Sequence, residues 1–431
     1  MNVPVKEHLC AEALITSVYR QFKKIPDPRK SASTNSISFV DILMSGLAVF
    51  SLKFPSLLQY DKDRNTIKHK LQTLYHVNQA PSDTYLRERL DELDPKFIRP
   101  AFKKIFSSLQ RGKCLEEFVF LDGRYLLSLD GTGEFSSNNV CCQQCCKKVH
   151  KDGSVTYYHQ MLGASIVHPD KSNVIPLCPE TIQNEDGSEK NDCERNAAKR
   201  FIEHFRREHP HLGVIIVGDG ITSNAPYIQL LEENKMKYIL GAKPGDHKFL
   251  FDLLDTSEET ECHDIMDEEG VFHQFRYLNN VPLNKSNQGV RVNVLEYMQT
   301  DPKGKETRFS WVTNIWITQD NMFRLMRGGR ARWKIENETF NTLKNLGYNF
   351  EHNYGHGTRY LSTILCLLMV LAFSIDQAQG IACSLFQTVK KLVGSYRALW
   401  EKTRVLFEFV QIPSWEYLYR LIVHKRTIDS S

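Results

Sequence analysis

Gly213-Val214-Ile215-Ile216-Val217-Gly218-Asp219-Gly220 reads as a short buried strand that delivers an aspartate at its end. A continuous apolar run bounded by glycines suits a strand covered on both faces, as inside an α/β sheet. The flanking sequence agrees. Cys193–Glu208 is amphipathic, with Ala197, Ala198, Phe201, Ile202 and Phe205 on one side, and predicts a helix before the strand. Asn224–Glu233 predicts a helix after it, followed by a strand at Tyr238–Leu240 that closes on Gly241-Ala242-Lys243. Upstream, Tyr125–Asp130 is a short apolar strand ending in Asp130-Gly131-Thr132-Gly133, and Tyr157–Val167 and Val174–Pro176 read as further strands. Three strands, a helix, a strand and a helix in that order predict an α/β layer on a mixed sheet, over residues 119–250.

Outside this block the pattern changes. Residues 1–118 predict helices at Ser38–Leu52, Asn65–Tyr75 and Ser82–Leu93, each with apolar residues three and four apart. Ser82, behind Pro81, is the expected N-cap. Short helices in a segment with basic flanks fit a small DNA-binding region of helix-turn-helix character, or an ordinary helical bundle. Across 251–325 three runs, Phe272–Leu278, Val290–Gln299 and Arg308–Ile317, are rich in β-branched and aromatic residues and predict an inserted antiparallel sheet. Trp311 and Trp316 in it read either as its own core or as platforms for a displaced base. Helix returns over 326–360 and 361–431, with Ala331–Asn345, Tyr360–Asp376 and Ile381–Val410 as the main candidates.

The bulk properties leave room for this reading. A chain of 431 residues holds two or three domains, and 41% hydrophobic with 25% charged residues is ordinary for a folded soluble protein. The net charge of +4 permits nucleic-acid binding without demonstrating it. Basic residues gather towards both ends, from Arg20-Gln21-Phe22-Lys23-Lys24 and Arg29-Lys30 to Lys390-Lys391 and His424-Lys425-Arg426, and acidic ones at Asp252–Asp267. Met1–Lys23 lacks the apolar core of a secretory leader. Leu361–Ile375 falls short of the roughly 20 apolar residues that cross a bilayer, so a buried helix is expected there. Eleven cysteines then predict reduced thiols or a metal site, and a cytoplasmic location. Cys141-Cys142-Gln143-Gln144-Cys145-Cys146 makes Cys142 and Cys145 candidates for structural Zn²⁺, with Cys178 and Cys193 as candidates to complete the tetrahedron.

Three carboxylates carry the chemistry. Asp130 and Asp219 each end an apolar strand and precede a glycine, a placement that brings ligand groups together at the crevice of an open sheet. The same Asp-Gly pair also serves an ordinary turn. The third element is Arg330-Ala331-Arg332-Trp333-Lys334-Ile335-Glu336-Asn337-Glu338, continuing to Phe340-Asn341-Thr342-Leu343-Lys344. On a helix Arg332, Glu336, Phe340 and Lys344 fall at four-residue steps, so Glu336 can face the aspartates while Trp333, Phe340 and Leu343 pack on the sheet. A plain surface helix with an Arg332–Glu336 pair is the alternative. Carboxylates suit Mg²⁺, a hard ion that prefers oxygen ligands. Two such ions about 4 Å apart can activate a water or a 3′-hydroxyl and stabilise the leaving oxygen.

Asp130 in Leu-Asp-Gly-Thr, Asp219 in Gly-Asp-Gly, and Arg-Trp-Lys-Ile-Glu with Phe340 and Leu343-Lys344 beyond it resemble the DDE transposases of bacterial insertion sequences. The phrase Asn349–Gly357, Asn-Phe-Glu-His-Asn-Tyr-Gly-His-Gly, also resembles a subgroup of them. The resemblance covers roughly residues 120–360. It implies an α/β fold: a ribonuclease-H-like mixed-sheet catalytic core interrupted by a β-rich insertion, with helical N-terminal and C-terminal regions. It further implies Mg²⁺ or Mn²⁺ held by Asp130, Asp219 and Glu336, with Arg332 and Lys344 on phosphates or terminal nucleotides. Trp333 would stack on an unpaired base, or lie in the core. The implied partners are double-stranded DNA, as the element's terminal inverted repeats and its target, and a second copy of the chain assembled on that DNA, with no membrane. Two positions depart from the family pattern. Gly329 stands where a tyrosine is usual, and Leu343 where a lysine is, with Lys344 one residue later. Glu338 is the rival third carboxylate. A DNA-binding descendant without catalysis and a different ribonuclease-H-like nuclease remain open as alternatives.

Overall fold

The computed structural model describes residues 9–29, 36–182, 193–220 and 222–424. Lys30, Lys425 and Arg426 of the basic stretches lie outside the described residues. The chain opens with helices α1 (Ala11–Phe22), α2 (Phe39–Ser51), α3 (Leu57–Asp63), α4 (Lys68–Tyr75), α5 (Asp83–Asp91) and α6 (Arg99–Arg111). The central part follows as β1 (Val119–Leu121), β2 (Arg124–Ser137), β3 (Cys146–Val149), β4 (Val155–Val167), β5 (Ile175–Pro176), β6 (Glu180–Ile182), α7 (Glu194–Glu208), β7 (Val214–Gly218), α8 (Ala225–Glu233) and β8 (Lys237–Gly241). Next come α9 (Lys248–Thr256), β9 (Glu261–Met266), β10 (Phe272–Pro282), β11 (Arg291–Thr300) and β12 (Glu306–Thr313). The chain returns to helix at α10 (Met322–Arg330), α11 (Asn341–Asn345), α12 (Leu361–Ala382), α13 (Ser384–Val393), α14 (Tyr396–Phe409) and α15 (Trp415–His424).

The strands form one mixed sheet in the order β3-β4-β2-β7-β8-β12-β11-β10-β9, with β1 on β2 and with β5 and β6 on β4. β2, β7 and β8 run parallel, and the remaining pairings are antiparallel. All five residues of β7 are buried, as its glycine-bounded apolar run requires. The inserted strands do not form a sheet of their own. β12 pairs with β8 at Trp311↔Gly241, Val312↔Leu240 and Thr313↔Ile239, so the insertion extends the central sheet and covers the edge that β8 would otherwise expose.

β2 is longer than the apolar run suggested. It continues to Ser137 because β4 pairs with it along most of its length, so Asp130 and Gly131 lie within the strand and not in a turn. Only the parallel pairing with β7 stops short, at Ser128↔Val217.

The helices of both terminal regions form one apolar body around α12. That helix is long and apolar enough to cross a membrane, yet nearly all of it is buried inside the protein, as expected of a core helix. Its N-terminus is capped from another part of the chain: the Asp91 carboxylate, at the end of α5, accepts from the backbone N–H groups of Arg359, Tyr360 and Leu361 at 2.9–3.0 Å. Further along, Asp376 of α12 accepts from the Lys53 ammonium at 2.7 Å in a buried ion pair, and the Tyr348 hydroxyl donates to the same carboxylate. The long helix expected at Ile381–Val410 is three pieces of sequence, the end of α12, α13 and α14. Gly394 adopts φ +87 between the last two, a left-handed backbone that glycine takes without strain and that ends α13.

Candidate active site

Asp130 leaves the middle of β2, where its antiparallel partner on β4 is Gly163. A Cβ at Gly163 would lie 2.5 Å from Phe340 Cε1, so the glycine is what lets the segment carrying Glu336 lie directly on the sheet beside Asp130. Two hydroxyl contacts hold that segment in place. Ser128, two residues before Asp130, donates to the Arg332 carbonyl at 3.2 Å, and Ser165 and Thr339 share a buried hydrogen bond of 3.1 Å.

The segment is not the regular helix that its four-residue steps predicted. α10 ends at Arg330, and Ile335–Phe340 form a π-helical turn before α11. Hydrogen bonds from i to i+5 widen the turn, so Ile335 and Phe340, five apart, are buried together with Thr339. Such widened turns are frequent at functional sites. Phe340 and Leu343 pack inward as expected, but Trp333 is 49% exposed, with the Arg332 guanidinium 4.7 Å from its ring centre. It is therefore not a core tryptophan. Gly329, in the slot where a tyrosine was expected, is dictated by packing: a Cβ there would lie 2.4 Å from the indole of Trp311. Trp311 is buried, and Trp316 stands 62% exposed beyond the end of β12.

Arg332 joins two of the carboxylates. Its Nη1 donates to Asp130 Oδ2 at 3.2 Å and to Glu336 Oε1 at 2.8 Å. Asp130 also accepts from the Gly131 N–H at 3.0 Å. Burial, opposed by the Arg332 charge and reinforced by Glu336 and Glu194, pushes the Asp130 carboxyl up to about 7. Asp219 follows the last residue of β7. The parallel pairing of β2 with β7 ends at Ser128↔Val217, so Asp130 and Asp219 each stand two residues beyond the last paired position on neighbouring strands. The backbone of Gly218-Asp219-Gly220 lies against Gly241 of β8, where a Cβ would come within 3.2 Å of the Gly220 nitrogen.

Glu194 is a fourth carboxylate that the sequence did not reveal. It opens α7, and a Cβ at Gly131 would lie 2.0 Å from its Oε1. Burial first, and then the charge of Asp219, raises its pKa. Its own charge acts on Asp130. An acidic residue in the first turn of a helix is commonplace, because it favours the positive end of the helix dipole, so nothing in the sequence marks it out. The glycine after Asp130 was the available signal: it makes room for this carboxylate.

The other candidates lie elsewhere. Lys344 pairs with Glu351 at 2.8 Å, and Glu338 with Lys334 at 3.8 Å. Cys142 and Cys145 do come together, but Cys178 and Cys193 do not join them. Cys178 is buried beside Arg99, and Cys193 is exposed at the start of α7. The residues that complete the group are His159 of β4 and His356. None of the eleven cysteines is in a disulfide.

No protein-family model matches the chain, and no curated protein matches it in sequence. Among solved structures, it is similar to the chain in a cryo-EM structure of the piggyBac transposase synaptic complex with hairpin DNA. The identity is 11% and the TM-score 0.41, over 99% of this chain and 85% of that one. A likeness of that size carries no argument about activity. The functional reading therefore rests on the crevice itself.

Proposed function

We propose that the protein is a DNA transposase of the DDE kind, which cuts the ends of a mobile element and joins them to new DNA. The observation that supports it most is the pairing of Asp130 of β2 and Glu336 of the π-helical turn through Arg332, with Asp219 following the end of the neighbouring parallel strand β7. The sheet order β6-β4-β2-β7-β8, antiparallel over the first three strands and parallel over the last three, supports a ribonuclease-H-like core beneath it. Membership among bacterial insertion-sequence enzymes rests on the motif resemblance.

The donor set fits a divalent metal. Asp130 and Glu336 share one hydrogen-bonded guanidinium, Glu194 acts on Asp130 and Asp219 on Glu194, and burial, reinforced by the charges of Glu336 and Glu194, holds the Asp130 carboxyl near 7. An all-oxygen set suits Mg²⁺ or Mn²⁺. Asp130, Asp219 and Glu336 would hold the metal. When bound, it supplies activation of a water or 3′-hydroxyl and stabilisation of the leaving oxygen. The chain's own residues do the positioning. Arg332 fixes Asp130 against Glu336, and its remaining N–H donors suit a phosphate. Trp333, exposed at the mouth of the site, suits stacking on an unpaired terminal base. Lys344 is the more distant phosphate candidate. The N-terminal helical region, residues 1–118, would bind the element's ends, on double-stranded DNA in the cytoplasm, with two copies assembled on that DNA.

A structure-specific nuclease with the same core is the competing reading. The discriminating experiment incubates the protein with labelled duplexes bearing the inverted repeats that bracket its gene, with scrambled ends as control, plus a target plasmid. Cleavage confined to the repeats, followed by joining of the 3′ ends to the plasmid, supports transposition. Cleavage that ignores end sequence, with no joined product, would overturn it in favour of the nuclease.

A further inference from the structure

Outside the carboxylate crevice, four side chains of metal-ligating type converge, three from the β2–β4 region and one from far along the chain. Cys142 and Cys145 come from the connection between β2 and β3, His159 from β4, and His356 from the segment after the π-helical turn. Their ligand atoms all lie within 4.8 Å of one another. Cys142 Sγ and Cys145 Sγ are 3.8 Å apart, far beyond the ~2.05 Å of a disulfide. His159 Nε2 lies 3.4 Å from each sulfur, and His356 Nε2 lies 3.1 Å from Cys145 Sγ.

The S···S separation and the three S···N separations approximate the edges of a tetrahedral coordination shell. A tetrahedral Zn²⁺ about 2.3 Å from sulfur and about 2.0 Å from nitrogen needs S···S edges of about 3.8 Å and S···N edges of about 3.5 Å. Two sulfurs and two imidazole nitrogens in a tetrahedron select Zn²⁺ over the harder Mg²⁺ and Ca²⁺. Cys145, His159 and His356 are buried, and Cys142 is partly so. Four protein ligands leave no open position, which is the mark of a structural and not a catalytic site. Buried Glu134 is close enough to His159 to act on it electrostatically, the kind of outer partner that orients a ligating imidazole.

We propose that Cys142, Cys145, His159 and His356 bind one structural Zn²⁺ that fastens the chain beyond Glu336 to the β2–β4 hairpin carrying Asp130. The route is short at both ends. His159 pairs with Phe135 on β2, five residues from Asp130, or roughly 16 Å at ~3.3 Å per residue. His356 packs tilted against the Phe135 ring and edge-on against the His159 ring, with centroids 4.9 Å apart in each case. Its neighbours keep it there: Gly357 takes φ +67, and a Cβ at that position would lie 2.4 Å from Asp91 Oδ1. The ion thus joins the sheet, the segment that carries Glu336 and the cap of α12 at one point.

The test uses the full chain, purified under reducing conditions without chelator or affinity tag. Elemental analysis should find about one Zn²⁺ per chain, and Co²⁺ replacement should give the ligand-field absorption of a tetrahedral thiolate site. Cys145→Ser and His356→Asn should each lower the zinc content at least tenfold. Stripping zinc from the wild-type chain should lower its melting temperature and open residues 349–358 to protease. Wild-type protein that holds no stoichiometric zinc after reconstitution, or a Co²⁺ form without a tetrahedral spectrum, overturns the proposal even if the variants fail to fold. So does full zinc retention by both variants.

Discussion

Replacing Asp130 by asparagine should make the metal-free protein more stable at pH 8 while destroying its activity. The Asp130 carboxyl is raised from 3.8 to about 7, chiefly by burial. A group whose folded-state pKa lies above its unfolded value favours the folded state below the unfolded pKa, and that favour is lost as pH rises through about 7. At pH 8 the wild-type chain therefore carries a charge it would rather not hold. About three pKa units at ~1.4 kcal/mol each give an upper bound of ~4 kcal/mol. The side chain is 19% exposed at an open crevice. Screening by that water reduces the figure to ~2 kcal/mol. With an unfolding entropy of ~2 cal/mol/K per residue over 431 residues, that is a gain of about 2 °C in melting temperature. At pH 5.5 the folded carboxyl is protonated while the unfolded one is still ionised, so the difference should fall to about half, ~1 kcal/mol, and reach zero only below the unfolded value of 3.8. Saturating Mg²⁺ at pH 8 should stabilise the wild type and close the gap, because the variant has lost a ligand. Paired thermal melts at the two pH values, with and without Mg²⁺, make the measurement. A variant less stable than wild type at pH 8, or a difference independent of pH, would refute the electrostatic account.

The remaining predictions probe how the crevice is built. Gly163→Ala places a methyl 2.5 Å from Phe340, which should cost ~1–3 kcal/mol by overpacking and at least 100-fold in cleavage by displacing Glu336. Denaturation and cleavage assays check it, and adding Phe340→Leu should restore much of both. Lys53→Met leaves the Asp376 carboxylate buried and unpaired, and should lose ~3–5 kcal/mol in chemical denaturation. The double change with Asp376→Leu should recover most of that loss. Trp333→Ala should alter stability by under ~0.5 kcal/mol, since the ring is half exposed, yet weaken handling of unpaired DNA ends. Roughly 5- to 150-fold is expected, from ~1–3 kcal/mol of stacking read in a binding titration with frayed ends.

What the sequence revealed divides by the range of the interactions involved. β7, α7 and α8 were legible because a buried run or an amphipathic face is written into consecutive residues, and Asn224 and Ser82 cap their helices as such residues do. The Arg332–Glu336 pair was legible for the same reason. Features set by partners far along the chain were not. Asp130 looked like a strand end because its following glycines resemble a turn, whereas they lie in a strand continued by β4. The π-helical turn depends on Phe340 meeting Gly163 across the sheet, and the insertion's union with the core on β12 meeting β8. His159 and His356 could not be matched to Cys142 and Cys145 by spacing, since His356 stands 211 residues from Cys145. Gly329 and Gly131 broke the expected pattern or suggested a loop, but each marks where another side chain, Trp311 or Glu194, comes close.

The central claim is that Asp130, Asp219 and Glu336 form one metal-dependent site for cutting DNA. The most direct test is strand cleavage of a labelled element-end duplex by the wild type and by Asp130→Asn, Asp219→Asn and Glu336→Gln, with binding measured in parallel. The wild type should cut in Mg²⁺ or Mn²⁺ and not in Ca²⁺, whose looser coordination does not enforce in-line geometry. Each variant should bind the duplex as well as the wild type and cut it at least 1,000-fold more slowly, about the loss from removing one central catalytic group. Cutting at the wild-type rate by any of the three, or by the wild type stripped of all divalent ions, would contradict the account.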